Sequence, residues 1–373
     1  MLLFGARRAA AQRAREHFAY VGSASPEGQG ISLWRVNTGD GAMTLAGVFA
    51  AENASALALD GAQRVLYAVA ETAPDGSVAA FAVDRASGVL TPINSVSSRG
   101  ASPCFVSVHP SGRFVLVANR GSGSIAVLPV RENGALAEAS DVQDDAGPPG
   151  PARAADSPPG QSAPSDHAGP HMRMVAADPL ARFILASDAG RDRILRYRLD
   201  PASGKLAPAA EPVVAEPGSA PARFAFHPGG RTLYSLQEQD GRVVVYDYDP
   251  DTAAMRAIQS VSALAPDFAG SFLGSALAVS EDGRFVYAAL RRHDAIVTFL
   301  VGEQGRLTRI GETWTQGDDP RGLAFAPGGA MMFACNARSD AVTAFRVNRL
   351  QGALDFVGRY APVASPGCMV FLS

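Results

Sequence analysis

The residues of this chain best suited to chemistry are arginines and carboxylates that recur at matching places: Glu71, Arg120, His171 with Arg173, Arg223, Glu238, Arg291 and Arg321. Arginine carries a rigid fork of donors that meets a carboxylate or phosphate with two bonds at once. Several arginines in one concavity raise the local concentration of an anion. The set therefore suits recognition of a small anionic molecule. Asn53, Asn119, Asp188 and Asn336 fall at similar places and join Arg173 and Arg223 as candidate substrate-binding groups, with Arg292, His293 and Arg338 in the turns just beyond. Each arginine also has an ordinary reading, as a rim residue paired with Glu71, Asp188 or Glu238. His109 and His227, each followed by Pro, read as turn residues.

Other chemistries find little support. There is no Cys-x-x-Cys, His-Glu-x-x-His, phosphate loop or Gly-x-Ser-x-Gly elbow, and no Ser or Cys stands beside a His in a nucleophile motif. The Gly-Ser-Gly-Ser run at 121–124 is a turn between strands, since no helix follows it. Six histidines are scattered without ligand spacing, so no metal or other cofactor is expected. Cys104, Cys335 and Cys368 form an odd set that reads as small apolar core positions and favours a reducing compartment, the cytoplasm. A net charge of -3 exerts no pull toward nucleic acid, and no apolar run is long enough to cross a membrane. The expected partner is the small anionic substrate, with the chain a monomer or weak homodimer.

What positions these residues is a repeat. Five segments share one layout, beginning at Ser55, Cys104, Ala222, Ser275 and Arg321, and a sixth begins at Met172 with a weaker turn. Each has an alternating apolar strand, a turn rich in Gly, Pro and Asp, and a second strand of Val, Leu, Phe and Tyr. Two further strands follow each pair. A period of roughly 50 residues with alternation of period two, and no helical stripe, is the mark of a four-stranded propeller blade. The fragments left over are Phe18–Ser23, Ile31–Val36 and Met43–Ala50 at the N-terminus and Gly367–Ser373 at the C-terminus. Together they make a seventh blade, which closes the ring and removes two sheet edges. The fold class is thus all-β, a seven-bladed β-propeller. Residues 1–16 read as an N-terminal extension outside it, 17–373 as one propeller, and 141–170, rich in Pro, Ser, Gly, Ala and Asp, as a long flexible insertion between the third and fourth blades. In such a ring the start of each innermost strand and the end of the next strand share one face near the axis, and the residues named first fall there.

The stretches Glu52–Asp60, Ala101–Val130, Gly169–Pro179 and Asp318–Pro327 resemble the lactonase-type propeller family, which includes the bacterial propeller 6-phosphogluconolactonases and the fungal carboxymuconate cyclases. The resemblance runs from about residue 18 to the C-terminus. It implies hydrolysis of a sugar lactone such as 6-phosphogluconolactone, a place in carbohydrate metabolism and the pentose phosphate pathway, and a site at the mouth. For that reaction, attack of base-activated water on the lactone carbonyl, His171 or Glu71 is the candidate base, Glu238 a second acid to orient it, and Arg291 and Arg321 the groups to bind the phosphate or steady the oxyanion. Family positions matched here are Asn53, Ser55, Glu71, Pro103, Cys104, Asn119, His171, Asp188, Gly190, Glu238, Arg291, Arg321 and Asn336. The chain departs from the family's pattern at Arg173 and Arg223, where histidines are usual, and at Ala222, Ala276 and Leu290. Arginine keeps positive charge there but does not shuttle protons near neutral pH. Two other readings stay open: a diverged propeller that binds an anionic metabolite without turnover, and a protein-interaction platform, which predicts an exposed apolar face.

Overall fold

The computed structural model describes residues 16–24, 28, 30–145, 158–163 and 167–373. The N-terminal extension lies outside these, except that Glu16 already opens a strand. The described residues form seven sheets of at least four antiparallel strands, with a single 3₁₀ turn at Glu303–Gly305. The innermost strands, taken round the ring as blades 1 to 7, are Pro366–Leu372, Leu57–Leu59, Pro103–Val108, Met172–Ala177, Pro221–Phe226, Leu273–Val279 and Pro320–Phe325. The second strands are Glu16–Ser23, Val65–Ala70, Phe114–Asn119, Ile184–Asp188, Thr232–Gln237, Phe285–Arg291 and Met331–Asn336. Blade 1 holds the closure: Pro366–Leu372 pairs antiparallel with Glu16–Ser23, Tyr20 opposite Val370.

The second strands are largely apolar because both of their faces are covered. In Phe285–Arg291, Phe285 and Tyr287 pack against Met332, Ala334 and Phe345 of blade 7. Val286, Ala288 and Leu290 pack the other way, against Tyr234, Leu236 and Val243 of blade 5. Each junction between neighbouring blades has such a cluster, so the core is a ring of wedges and not one central mass. Tyrosines tie some wedges together. The hydroxyls of Tyr20, Tyr67 and Tyr287 donate to the carbonyls of Gly88, Gly134 and Gly352 in the next blade, at 2.8, 3.1 and 3.0 Å. Gly134 turns its chain at φ +82 with Val65 so near that a Cβ would sit 2.4 Å from a methyl, which only glycine tolerates.

The insertion differs from its expected form. Asp141–Asp144 is the outermost strand of blade 3, paired with Ser124–Pro129. Asp145 then meets the Arg193 guanidinium through both carboxylate oxygens. Residues 158–163 cross to blade 6: the Pro159 carbonyl accepts from Gly270 N at 2.8 Å, and Gln161 gives its Nε2 to the Phe272 carbonyl at 3.0 Å while its Oε1 accepts from Phe272 N at 3.4 Å. His167 is buried 3.2 Å from Asp192, whose oxygens also accept from Gly218 N and Ala220 N. A polar strap needs no core of its own when its backbone finds partners in the blades beneath. Residues 146–157 and 164–166 of the insertion lie outside the described residues.

Candidate active site

The side chains at the mouth owe their direction to a repeated irregularity. In six blades the pairing of the innermost strand with the second slips by one residue at the mouth end, skipping Gly367, Cys104, Arg173, Ala222, Ser275 and Arg321. A bulged residue leaves the in-out alternation and can be re-aimed. Five of these six, with Ser55 ahead of the short blade 2 strand, line one cavity of about 370 Å3. In blades 2 to 6 the residue at or just after the second strand's end faces them: Glu71, Arg120, Ala189, Glu238 and Arg291, and His171, Arg223 and Leu273 complete the wall.

Charge dominates this cavity. Glu238 is buried and its Oε1 accepts from Arg173 at 2.7 Å and Arg291 at 2.8 Å. Burial alone would raise its carboxyl, but the two guanidiniums outweigh that and hold it below the ordinary carboxylate range. Glu238 is therefore an anion that orders two arginines; its ion pairs are with them and not with His171. Asp319 accepts from Arg321 Nε at 2.9 Å and stands 3.9 Å from Arg291. Glu71 stands 3.4 Å from Arg120. Desolvation raises the Cys104 thiol despite Arg173 and Arg223 beside it, which keeps it protonated.

His171 is held at both ends. Its backbone N–H donates to Asp188 Oδ1 at 2.8 Å, and its Nδ1 is 3.0 Å from the Arg120 carbonyl. A carbonyl only accepts, so Nδ1 carries the proton and the lone pair of the neutral ring lies on Nε2. Gly190 packs against this histidine: a Cβ there would meet the Gly169 carbonyl at 1.9 Å and the ring Cδ2 at 2.9 Å. Asp188 Oδ1 also accepts from Gly190 N and Arg191 N, at 2.9 and 3.2 Å.

The structure thus brings together His171, Glu71, Glu238, Arg173, Arg223, Arg291 and Arg321. It does not bring four other candidates to the cavity wall. Asn119 and Asn336 are fully buried and do the same structural work in two blades. Each Nδ2 bonds a backbone carbonyl, Ser98 at 3.0 Å or Thr315 at 3.2 Å, and a hydroxyl, Ser124 at 3.2 Å or Thr343 at 3.0 Å. Asp188 is buried under His171, and Asn53 gives its amide to the Glu71 carbonyl. The reason is a one-residue offset: these side chains sit at the last paired position or before the strand, where they point sideways into the blade. The same offset removes Ala276, which is paired with Ala289, and Leu290, which is in an inter-blade core; Ser275 and Arg291 hold those places at the mouth. His293 and Arg338 pair with Glu312 at 2.8 Å and Asp318 at 3.5 Å, away from the cavity wall. Cys104, read as core, is half-buried in the wall. Ser275 and Asp319 carried no signal as single residues; only the bulge register and the ion pair identify them.

Known proteins resemble this chain along its length. The family model described as "Lactonase, 7-bladed beta-propeller" matches residues 18–371. A 6-phosphogluconolactonase of Bacillus subtilis (strain 168) is 32% identical over 360 residues, covering 96% of this chain and 99% of that one. A 6-phosphogluconolactonase of Erwinia tasmaniensis is 28% identical over 348 residues, covering 93% and 96%. Among solved structures, the periplasmic gluconolactonase of Pseudomonas aeruginosa superposes with a TM-score of 0.87 at 28% identity, covering 96% of this chain and 99% of that chain. With a match that spans all seven blades, the chain belongs to the lactonase family of seven-bladed β-propellers.

Proposed function

We propose that this protein opens an anionic sugar lactone, 6-phosphogluconolactone being the model substrate, by base-assisted attack of water in the mouth cavity. One observation carries the mechanism: a histidine with its lone pair fixed on Nε2 lines a cavity walled by five arginines. His171 Nε2 takes a proton from water as the water oxygen bonds the lactone carbonyl carbon. The carbonyl electrons move to oxygen, where Arg291 and Arg321 offset the new charge. Collapse restores the carbonyl and breaks the ring C–O bond, and the leaving oxygen takes the proton back from His171. The product is a hydroxy acid. Glu71 is the weaker candidate base because its carboxylate already faces Arg120. Names of the relatives support the substrate, since two of those above are 6-phosphogluconolactonases and the third is a gluconolactonase.

The test is hydrolysis of 6-phosphogluconolactone above its spontaneous rate, with His171→Ala and Arg321→Ala beside the wild type. Unaltered turnover in both variants sinks the assignment. Ligand-induced thermal stabilisation without turnover would favour the binding reading, which rests on Arg173 and Arg223 standing where the family's histidines are usual. The same proposal takes the protein as a cytoplasmic monomer or weak dimer acting in carbohydrate metabolism, with Cys104, Cys335 and Cys368 as free thiols. Cell fractionation and light scattering check those points. Among the described residues no helix is long and apolar enough to cross a membrane.

A further inference from the structure

The five guanidiniums of the cavity are not equivalent. Arg120 faces Glu71, Arg173 and Arg291 share Glu238, and Arg321 pairs with Asp319, which also stands near Arg291. Arg223 has no carboxylate within ion-pair distance among the described residues. Its Nη1 donates to the backbone carbonyl of Arg173, with the Ala222 carbonyl 3.5 Å away, and its guanidinium lies over the Phe105 ring at 5.3 Å. No described residue accepts from its Nε or Nη2. Burial and the neighbouring charges of Arg173 and Arg291 work against its protonated form, Glu238 supports it from beyond ion-pair distance, and arginine holds its proton through such pressure. A cation under these conditions is costly unless something compensates it.

The remainder of the cavity agrees. Five guanidiniums face three carboxylates, Glu71, Glu238 and Asp319, so two positive charges are unbalanced. The Nε groups of Arg173 and Arg291 and the hydroxyl of Ser55 are buried just behind the wall, on residues that line the cavity, and have no hydrogen-bond partner. Buried donors without partners call for acceptor oxygens. A phosphate monoester brings three acceptor oxygens and a charge of about -1.5 to -2 at pH 7, whereas an uncharged lactone leaves the surplus in place.

Resting on the lactonase reading, we infer that Arg223 is the seat of the substrate's anionic group and the residue that sets preference for a phosphorylated over a neutral sugar lactone. Its guanidinium is already held by the Arg173 carbonyl and over the Phe105 ring, so little side-chain freedom is lost on binding.

The experiment has two arms. In the first, the full chain and its Arg223→Gln and Arg223→Lys variants are titrated with inorganic phosphate by calorimetry. Arg223→Gln is expected to bind at least about tenfold more weakly than wild type, the usual worth of a charged hydrogen bond, and Arg223→Lys to fall between them. Phosphate affinity equal to wild type in either variant overturns the inference, and the lysine variant decides alone should the glutamine variant not fold. In the second arm, kcat/KM is measured for 6-phosphogluconolactone and for unphosphorylated gluconolactone. The ratio of the two is expected to fall at least about tenfold in Arg223→Gln; an unchanged ratio overturns the inference. Absence of any turnover by the wild type would defeat the hydrolase reading instead, and the phosphate titration would still decide the fate of the seat.

Discussion

His171 shows how little of a catalytic residue lies in its own side chain. Its ring is set by a carbonyl one blade away and its backbone by a buried carboxyl, so the two can be separated by mutation. His171→Gln is expected to lower kcat on the lactone by about 10²–10⁴-fold, with thermal stability little changed; equal stability and equal kcat would remove it from the mechanism. Asp188 beneath it has its pKa raised to about 7, chiefly by burial and with Asp145 adding to the rise against the backbone N–H bonds from His171 and Gly190. A carboxyl whose folded pKa lies above its unfolded value favours folding most below the unfolded value and loses that advantage as pH climbs through the folded one. The Asp188 contribution to thermal stability is therefore expected to decline as pH rises from about 4 to about 7. Asp188→Asn keeps an acceptor for the three N–H groups and should flatten that decline; an unchanged slope in melting temperature against pH refutes it. At this scale the sequence disclosed charge well and direction poorly. The arginines and glutamates at the mouth were legible because long charged side chains at strand ends have few other uses. Asn119, Asp188 and Asn336 were misread because a shift of one residue turns a side chain from the cavity into the blade.

Elements place these residues through their irregularities. Gly190 lies two residues past the second strand of blade 4 and its backbone touches His171, so Gly190→Ala must displace either the ring or the Gly169 carbonyl. Activity is expected to fall at least about tenfold while the fold persists, since sub-ångström placement governs proton transfer; full activity would show that the ring adapts. The strap offers a second case. Gln161 supplies both partners of Phe272's backbone, and Gln161→Ala would leave a buried N–H and C=O unmet, a loss of about 1–3 kcal/mol by chemical denaturation. Composition marked this strap as loose because Pro, Ser and Gly make no core, and no composition rule registers one glutamine that completes a neighbour's hydrogen bonds. Strands, by contrast, were plain, because burial on both faces wrote long apolar runs into the second strand of every blade.

At the scale of the whole molecule, the ring could be counted before it was seen, six repeats and two complementary fragments. Its closure depends on Pro366–Leu372, which supplies the innermost strand of blade 1 and contributes Met369 to one wedge and Leu372 to its neighbour. Deleting residues 366–373 would bare the edge of Glu16–Ser23 and strip two inter-blade clusters. Such a chain is expected to self-associate in size-exclusion chromatography and to lose a single cooperative unfolding transition; a monodisperse, cooperative truncation would mean that closure contributes nothing.

The slipped pairing at the mouth has a bearing on how such proteins diversify. A residue in the slip has no partner in the strand ladder and belongs to none of the apolar wedges between blades, so exchanging it leaves ladder and wedges in place. The inner strands act as sockets on a common rim, but not all are equal: Arg173 is tied to Arg291 through Glu238, and a Cβ at Gly367 would meet the Ser55 carbonyl at 2.6 Å. New ligand preferences can then arise at the open sockets, and a designer who wishes to retarget this protein should begin with the residues at Ser55, Cys104, Ser275 and Arg321.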